Sequence, residues 1–136
     1  MASAAAELQK AIFTALRDDA ALAALLGGGK IFDHAPASVG FPYITFGRTS
    51  VYDWSTATEV GGEHLFTLHV WSKARGKQEA LDVMGRAEAL LHDKPLQMPG
   101  YALVNLRLEF SEVRFDDDQS VYHGLLRFRA MVESIV

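Results

Sequence analysis

The chain has no cysteine. Disulfides and thiol catalysis are therefore excluded, and a zinc site would have to be built from histidine and carboxylates. It has no run of lysine or arginine, and its 13 basic residues are outnumbered by 17 acidic ones, for a net charge of −4. Tight binding to a phosphate backbone draws most of its affinity from clustered basic side chains, so that function class is disfavoured, although DNA could still pass nearby without being gripped. No stretch approaches the roughly 18 apolar residues of a membrane span. The start of the chain, 1–6, is small and uncharged and lacks the basic leader and apolar run of a signal peptide. These absences lead to the expectation of a soluble protein made in the cytoplasm. With 136 residues, 49% of them hydrophobic and 22% charged, the chain suits one domain, 1–136, with a single sizeable core.

The strongest strand signal is 63–72, E-H-L-F-T-L-H-V-W-S, a run free of Gly and Pro. Alternation sends His64, Phe66, Leu68 and Val70 to one face and Leu65, Thr67, His69 and Trp71 to the other. Phe66, Leu68 and Val70 of the first face are the core row. The second mixes polar and aromatic groups and suits contact with a neighbouring strand, helix or subunit.

Earlier in the chain, Ser3 reads as an N-cap for a helix to Leu16 striped by Leu8, Ile12, Ala15 and Leu16. Asp18 or Asp19 caps a second short helix, 20–26, which Gly27-Gly28-Gly29 stops. A short strand is expected at 30–33 and another at 41–47, with Pro42 confined to its start or to an edge. The polar stretch 48–62 reads as a long connection or loose hairpin tip. It carries Val51, Tyr52 and Trp54, which either fold back as a plug or meet another chain. A helix is predicted over 77–92, with Leu81, Met84, Ala87 or Glu88, and Leu91 on one stripe. Beyond it lies a long strand, 101–115, whose alternation of Val104, Leu106, Leu108 and Phe110 slips near 111–113, as a bulge would cause. Asp116-Asp117-Asp118 is the turn into a return strand, 120–135. There Tyr122, Gly124, Leu126, Phe128, Ala130 and Val132 oppose His123, Arg127 and Arg129. The order α, α, β, β, β, α, β, β predicts an α+β fold: a mainly antiparallel sheet of about four to five strands with helices packed on one face.

Few motifs carry chemistry. His64 and His69 stand five apart on one strand and so face opposite sides, which rules out a shared metal without a bulge. His92 sits at a helix end, where a cation is favoured, and His34 in a loop; the histidines read as surface or interface groups. The Asp116–Asp118 run lacks the spaced ligands and terminal Glu of a calcium loop, and G-G-G-K at 27–30 follows a helix and lacks the phosphate-loop spacing. The only enzyme-like cluster to nominate is His69, His123 and Arg127, which requires their strands to pair.

Several segments together resemble a known family. They are F-P-Y-I-T at 41–45, D-W-S-T at 53–56, G-E-H at 62–64, L-H-V-W-S at 68–72, L-L-H at 90–92, Y-H-G at 122–124 and L-R-F-R at 126–129. The pattern is similar to the phage tail-completion or tail terminator family, closest to members in alphaproteobacterial prophages and gene transfer agents. The resemblance implies a structural α+β protein without enzyme activity or cofactor. It implies a homo-oligomeric ring, hexameric in most members, that caps the tail tube protein, ends its growth and presents a surface to the head connector or stopper, while DNA passes through without specific binding. Assembly would occur in the bacterial cytoplasm, and the protein would then reside in the particle's tail.

The resemblance transfers no established site. The interface residues nominated from this sequence are Tyr52, Asp53, Trp54, His69 and Trp71, with Asp116, Asp117 and Asp118 as a channel-facing acidic turn. Another head–tail connector, a stopper or adaptor, is the alternative. A small cytoplasmic α+β enzyme or ligand-binding domain stands behind that.

Overall fold

The computed structural model describes residues 3–135. Helix α1 spans Ala4–Arg17. It opens on Ser3, whose hydroxyl accepts the Ala6 N–H at 3.1 Å, and it buries Leu8, Ile12 and Leu16 along one stripe. Helix α2, Ala20–Leu26, is capped by Asp19 and ends at Gly27, which takes the left-handed conformation (φ 76°) that side chains resist. Strand β1 is Ile31–Phe32, β2 is Tyr43–Asp53 and β3 is Gly61–Ser72. Helix α3 is Gln78–Leu91, β4 is Tyr101–Asp116 and β5 is Val121–Ser134.

The five strands form one sheet in the order β1-β2-β3-β5-β4. Only the β1–β2 pairing is parallel; the other three are antiparallel. Helix α3 carries the chain from β3 past β5 to the far edge, where β4 adds. The expected α+β architecture with a mainly antiparallel sheet is thus what the chain adopts.

The core lies between one sheet face and the helices. Phe66, Leu68 and Val70 of β3 meet Leu126, Phe128, Ala130 and Val132 of β5 and the apolar stripes of the helices. Phe66 and Phe128 stack with centroids 5.1 Å apart. Arg86 on α3 donates two hydrogen bonds to Asp19, 2.8 and 2.7 Å, fastening α2 to α3 at the cap.

Four local expectations are corrected. Strand β2 does not stop at Gly47 but pairs with β3 as far as Asp53↔Gly62, so the hairpin tip shrinks to 54–60. Polar residues on one exposed strand face look like loop in sequence, but the ladder holds them. Leu81 is 46% exposed; the buried face of α3 is Ala80, Val83, Met84, Ala87 and Leu91, turned by one residue from the expected stripe. The register shifts of β4 fall at Leu103/Asn105 and Leu108/Phe110, not at 111–113, where pairing is regular. Bulged out of phase, Val104 and Phe110 are 54% and 43% exposed, while Leu106 stays buried. Finally, His64 is not a surface group but lies in the core face at 1% exposure.

Candidate interaction surfaces

Among the described residues, the sheet face away from the helices carries no layer of its own elements. Cross-strand partners share a face, so the ladder fixes its rows. Tyr43, Trp71, His123 and Arg114 form one row, and Thr45, His69, Leu125 and Glu112 the next. The Trp71 indole lies flat on the His123 ring at 4.1 Å between centroids and donates its N–H to Thr45 Oγ1 at 3.0 Å. His69 Nδ1 lies 2.7 Å from His123 Nε2. One of these nitrogens must donate and the other accept, so the pair needs at least one neutral ring. Burial pushes both imidazoles below their ordinary value, and for His123 the neighbouring His69 and Arg114 add to it. The pairing of His69 with His123 is therefore as the sequence suggested. Arg127 does not join them: its guanidinium stands over the Phe110 ring at 5.3 Å.

A glycine makes this packing possible. Gly47 sits in the β2 bulge, and a Cβ there would fall 2.3 Å from His69 Nε2. Thr45, Tyr43 and Gly47 were not among the nominated residues. Their signal was the two-residue alternation from Tyr43 to Gly47, which matches that of His69 and Trp71.

At the other end of the β2–β3 hairpin, Tyr52 is 59% exposed and Val51 50%. Asp53 Oδ1 accepts from the Ser55 N–H and hydroxyl, which holds its carboxyl below the usual range. Trp54 turns inward onto Gly61, where a Cβ would lie 2.3 Å from the ring, and its backbone N–H donates to the Gly61 carbonyl. Its indole N–H is buried with no hydrogen-bond partner among the described residues. The nominated residues thus separate into an exposed strand end, Tyr52 and Asp53, a folded-back Trp54, and the open-face pair His69 and Trp71. Asp116 closes β4, with its Oδ1 accepting the Gln119 N–H; Asp117 and Asp118 are exposed in the turn beyond.

Among the described residues no group of three or more His, Asp or Glu side chains could hold a metal, and no helix is long and apolar enough to cross a membrane. A concavity of about 480 Å³ on the open face is lined by Arg48, Thr67, His69, Glu109 and Arg127 among others.

Comparison with known proteins then places the chain. A chain in the virion of a native gene transfer agent particle matches at 30% identity with a TM-score of 0.90, over 98% of this chain and 100% of that one. The gp17 protein of bacteriophage SPP1 shares the fold, with a TM-score of 0.63 over 98% of this chain and 91% of that one, at 24% identity. Tail completion protein gp17 of Bacillus phage SPP1 aligns over 94 residues at 28% identity, covering 69% of each chain. The family model of tail completion protein gp17 matches residues 10–133, and the chain belongs to that family.

Proposed function

We propose that this protein caps the tail tube of a phage-like particle, ends the tube's growth and forms the junction to the head connector, acting as a structural ring rather than an enzyme. The observation that carries the reading is the match, end to end, to a chain of an assembled gene transfer agent virion. The ring is a homo-oligomer, taken as a hexamer. Its partners are the tail tube protein on one side and a connector or stopper on the other, with DNA passing through unbound. It assembles in the bacterial cytoplasm and ends in the particle's tail.

The contact groups are Tyr52, Asp53 and Trp54 at the hairpin and His69 and Trp71 on the open face, with Asp116, Asp117 and Asp118 as an acidic turn facing the channel. The test is negative-stain imaging with mass measurement, alone and with tube protein. Rings of uniform diameter and caps on tube ends are expected; a strict monomer in both conditions overturns the reading. Capture by the connector alone, without tube binding, assigns the protein to the stopper or adaptor side. Trp54→Ala, which removes the plug over Gly61, is expected to loosen the hairpin end and weaken ring formation. Unchanged assembly would confine Trp54 to local packing. Intact assembly of a chain carrying His69→Ala and His123→Ala would leave the enzyme reading without its candidates.

A further inference from the structure

Two edges of the sheet are each half covered by the chain itself. Along β4, the outer edge is met at Leu106, whose carbonyl accepts the Asp93 N–H at 2.7 Å, and at Leu108, whose N–H donates to His92 Nδ1 at 2.9 Å. Two bulges disrupt the same half. From Phe110 to Asp116 the pairing with β5 is regular, and among the described residues no backbone bond from another element reaches the outer side. Along β2, the short β1 covers Ile44 and Thr45, the bulge follows, and among the described residues the regular run 49–53 is left open. Regular, uncovered edges are templates for strand addition.

The exposed large apolar residues gather at these edges. Among the described residues, all except Leu25, Leu81 and Ile135 belong either to β4 (Val104, Phe110, Phe115) or to the β2–β3 hairpin end (Val51, Tyr52, Val60). Each free edge offers apolar groups to both faces: Phe110 with the open face and Phe115 with the helix side on β4, Tyr52 and Val51 likewise on β2.

Resting on the ring reading, we propose that the free half of β4 in one copy pairs antiparallel with the free half of β2 in the next, so that the sheet runs unbroken around the ring. Strand direction supports this. The run β2-β3-β5-β4 alternates at every step, so β4 runs opposite to β2. A rotation that carries one copy onto the next therefore brings unlike edges together in antiparallel sense, a heterologous contact that closes. A register that sets Val113 across from Val51 also sets Glu112 across from Tyr52 and brings Asp116 level with the bulge that holds Arg48, a carboxylate near a guanidinium.

The stagger is self-consistent. Through the ladder, Val113 is level with Gly124, Val70 and Ile44. Val51 lies opposite His64, six rungs along β3 from Val70. At about 3.3 Å per rung that is a slide of about 20 Å across four strands, themselves about 19 Å wide. The implied strand tilt of about 45° is at the upper end of what closed barrels adopt.

The absence of cysteine makes the test clean. Tyr52→Cys and Glu112→Cys, both at exposed positions, are combined in one chain, and assembly is read first by mass measurement with tube protein. A short bismaleimide is then added and the products run on a denaturing gel. The double variant should give a ladder of covalent multimers, each single variant none, and a mixture of the two singles a covalent dimer only. The pair Val51→Cys and Val113→Cys checks the helix side in the same way. Assembled rings that give no ladder with either pair overturn the edge contact and leave the ring reading standing. A dimer from Glu112→Cys alone shows that the edge meets its own copy and also overturns it. A wild-type monomer with tube protein overturns the ring reading itself, and the edge contact with it.

Discussion

Gly47→Ala tests how the open face is held together. The added Cβ would sit 2.3 Å from His69 Nε2 and 2.7 Å from Cδ2, with Thr67 Cβ at 3.4 Å on the far side. Carbon contacts relax at about 3.5–4.0 Å, so the imidazole must move by roughly 1 Å or more. It is not a free end: its Nδ1 is bonded to His123 at 2.7 Å, and His123 is stacked on Trp71. A shift of that size away from β2 alters the pair geometry and lifts the stack. Losing the hydrogen bond costs about 0.5–1.5 kcal/mol. Disturbing the ring packing costs about as much again, roughly 0.5–1.5 kcal/mol. Against this, alanine restricts the unfolded chain and returns about 0.4–1 kcal/mol. These ranges centre on a net destabilisation of about 1.3 kcal/mol, read in urea as a midpoint lower by roughly 0.5–1 M. The decisive comparison is the same substitution in a His69→Ala chain. With the ring gone, Gly47→Ala should become neutral or stabilising, giving a coupling energy of about 1 kcal/mol or more. An equal loss in both backgrounds would refute the steric argument and place the cost in the bulge backbone.

Phe128→Ala, at a fully buried position stacked on Phe66, should cost about 3–5 kcal/mol in denaturant unfolding, and a loss under 1 would mean the cavity collapses freely. Asp19 is held at about 2 against an ordinary 3.8, first by its hydrogen bond from Arg86 and then by the Leu22 N–H. A depressed carboxyl contributes stability above its unfolded value and loses it as pH falls through the folded one. Arg86→Met should therefore flatten the fall in stability between about pH 4 and 2, and an unchanged acid limb would count against the clamp. Burial lowers the His64 pKa, so the folded state binds fewer protons and stability drops as pH falls below the unfolded value of 6.5. His64→Leu removes both the unpartnered Nδ1 and that titration. It should hold or raise stability at pH 7 and reduce its decline between about pH 6.5 and 5, as thermal melts would show.

The core row of β3 was legible because a strand covered by helices on one face alternates without interruption: Phe66, Leu68 and Val70 are at 4, 0 and 0% exposure. The helix caps at Ser3 and Asp19 were legible because capping is a local hydrogen bond between residues three apart. The family resemblance rested on scattered short motifs, and the family match over 10–133 agrees with it. What failed had non-local causes. The far half of β2 has a polar outer face and looks like loop until β3 is laid beside it. The β4 bulges are set by how β5 pairs, not by any Gly or Pro in β4. Leu81 obeys helical spacing as well as Val83 does, and only the placement of α3 on the sheet chooses between them. His64 takes a core position with no donor to its Nδ1, a cost that no sequence rule marks.

Net charge misleads about this molecule in the same non-local way. No run of basic residues occurs, yet the ladder gathers Arg48, Arg107, Arg114, Arg127 and Arg129 on the open face, interleaved with Glu63, Glu109, Glu112, Asp116 and Glu133. Arg107 and Arg129 are direct cross-strand partners, a repulsive arrangement that Glu63 relieves by pairing with Arg129. Five guanidinium groups against five carboxylates leave the strand rows of this face near neutral on a chain whose total is −4, so the negative excess lies on the rest of the surface. The open face is therefore a mosaic of both charge signs rather than a basic patch, and charge of that kind sets which partner docks and in what register more than how tightly.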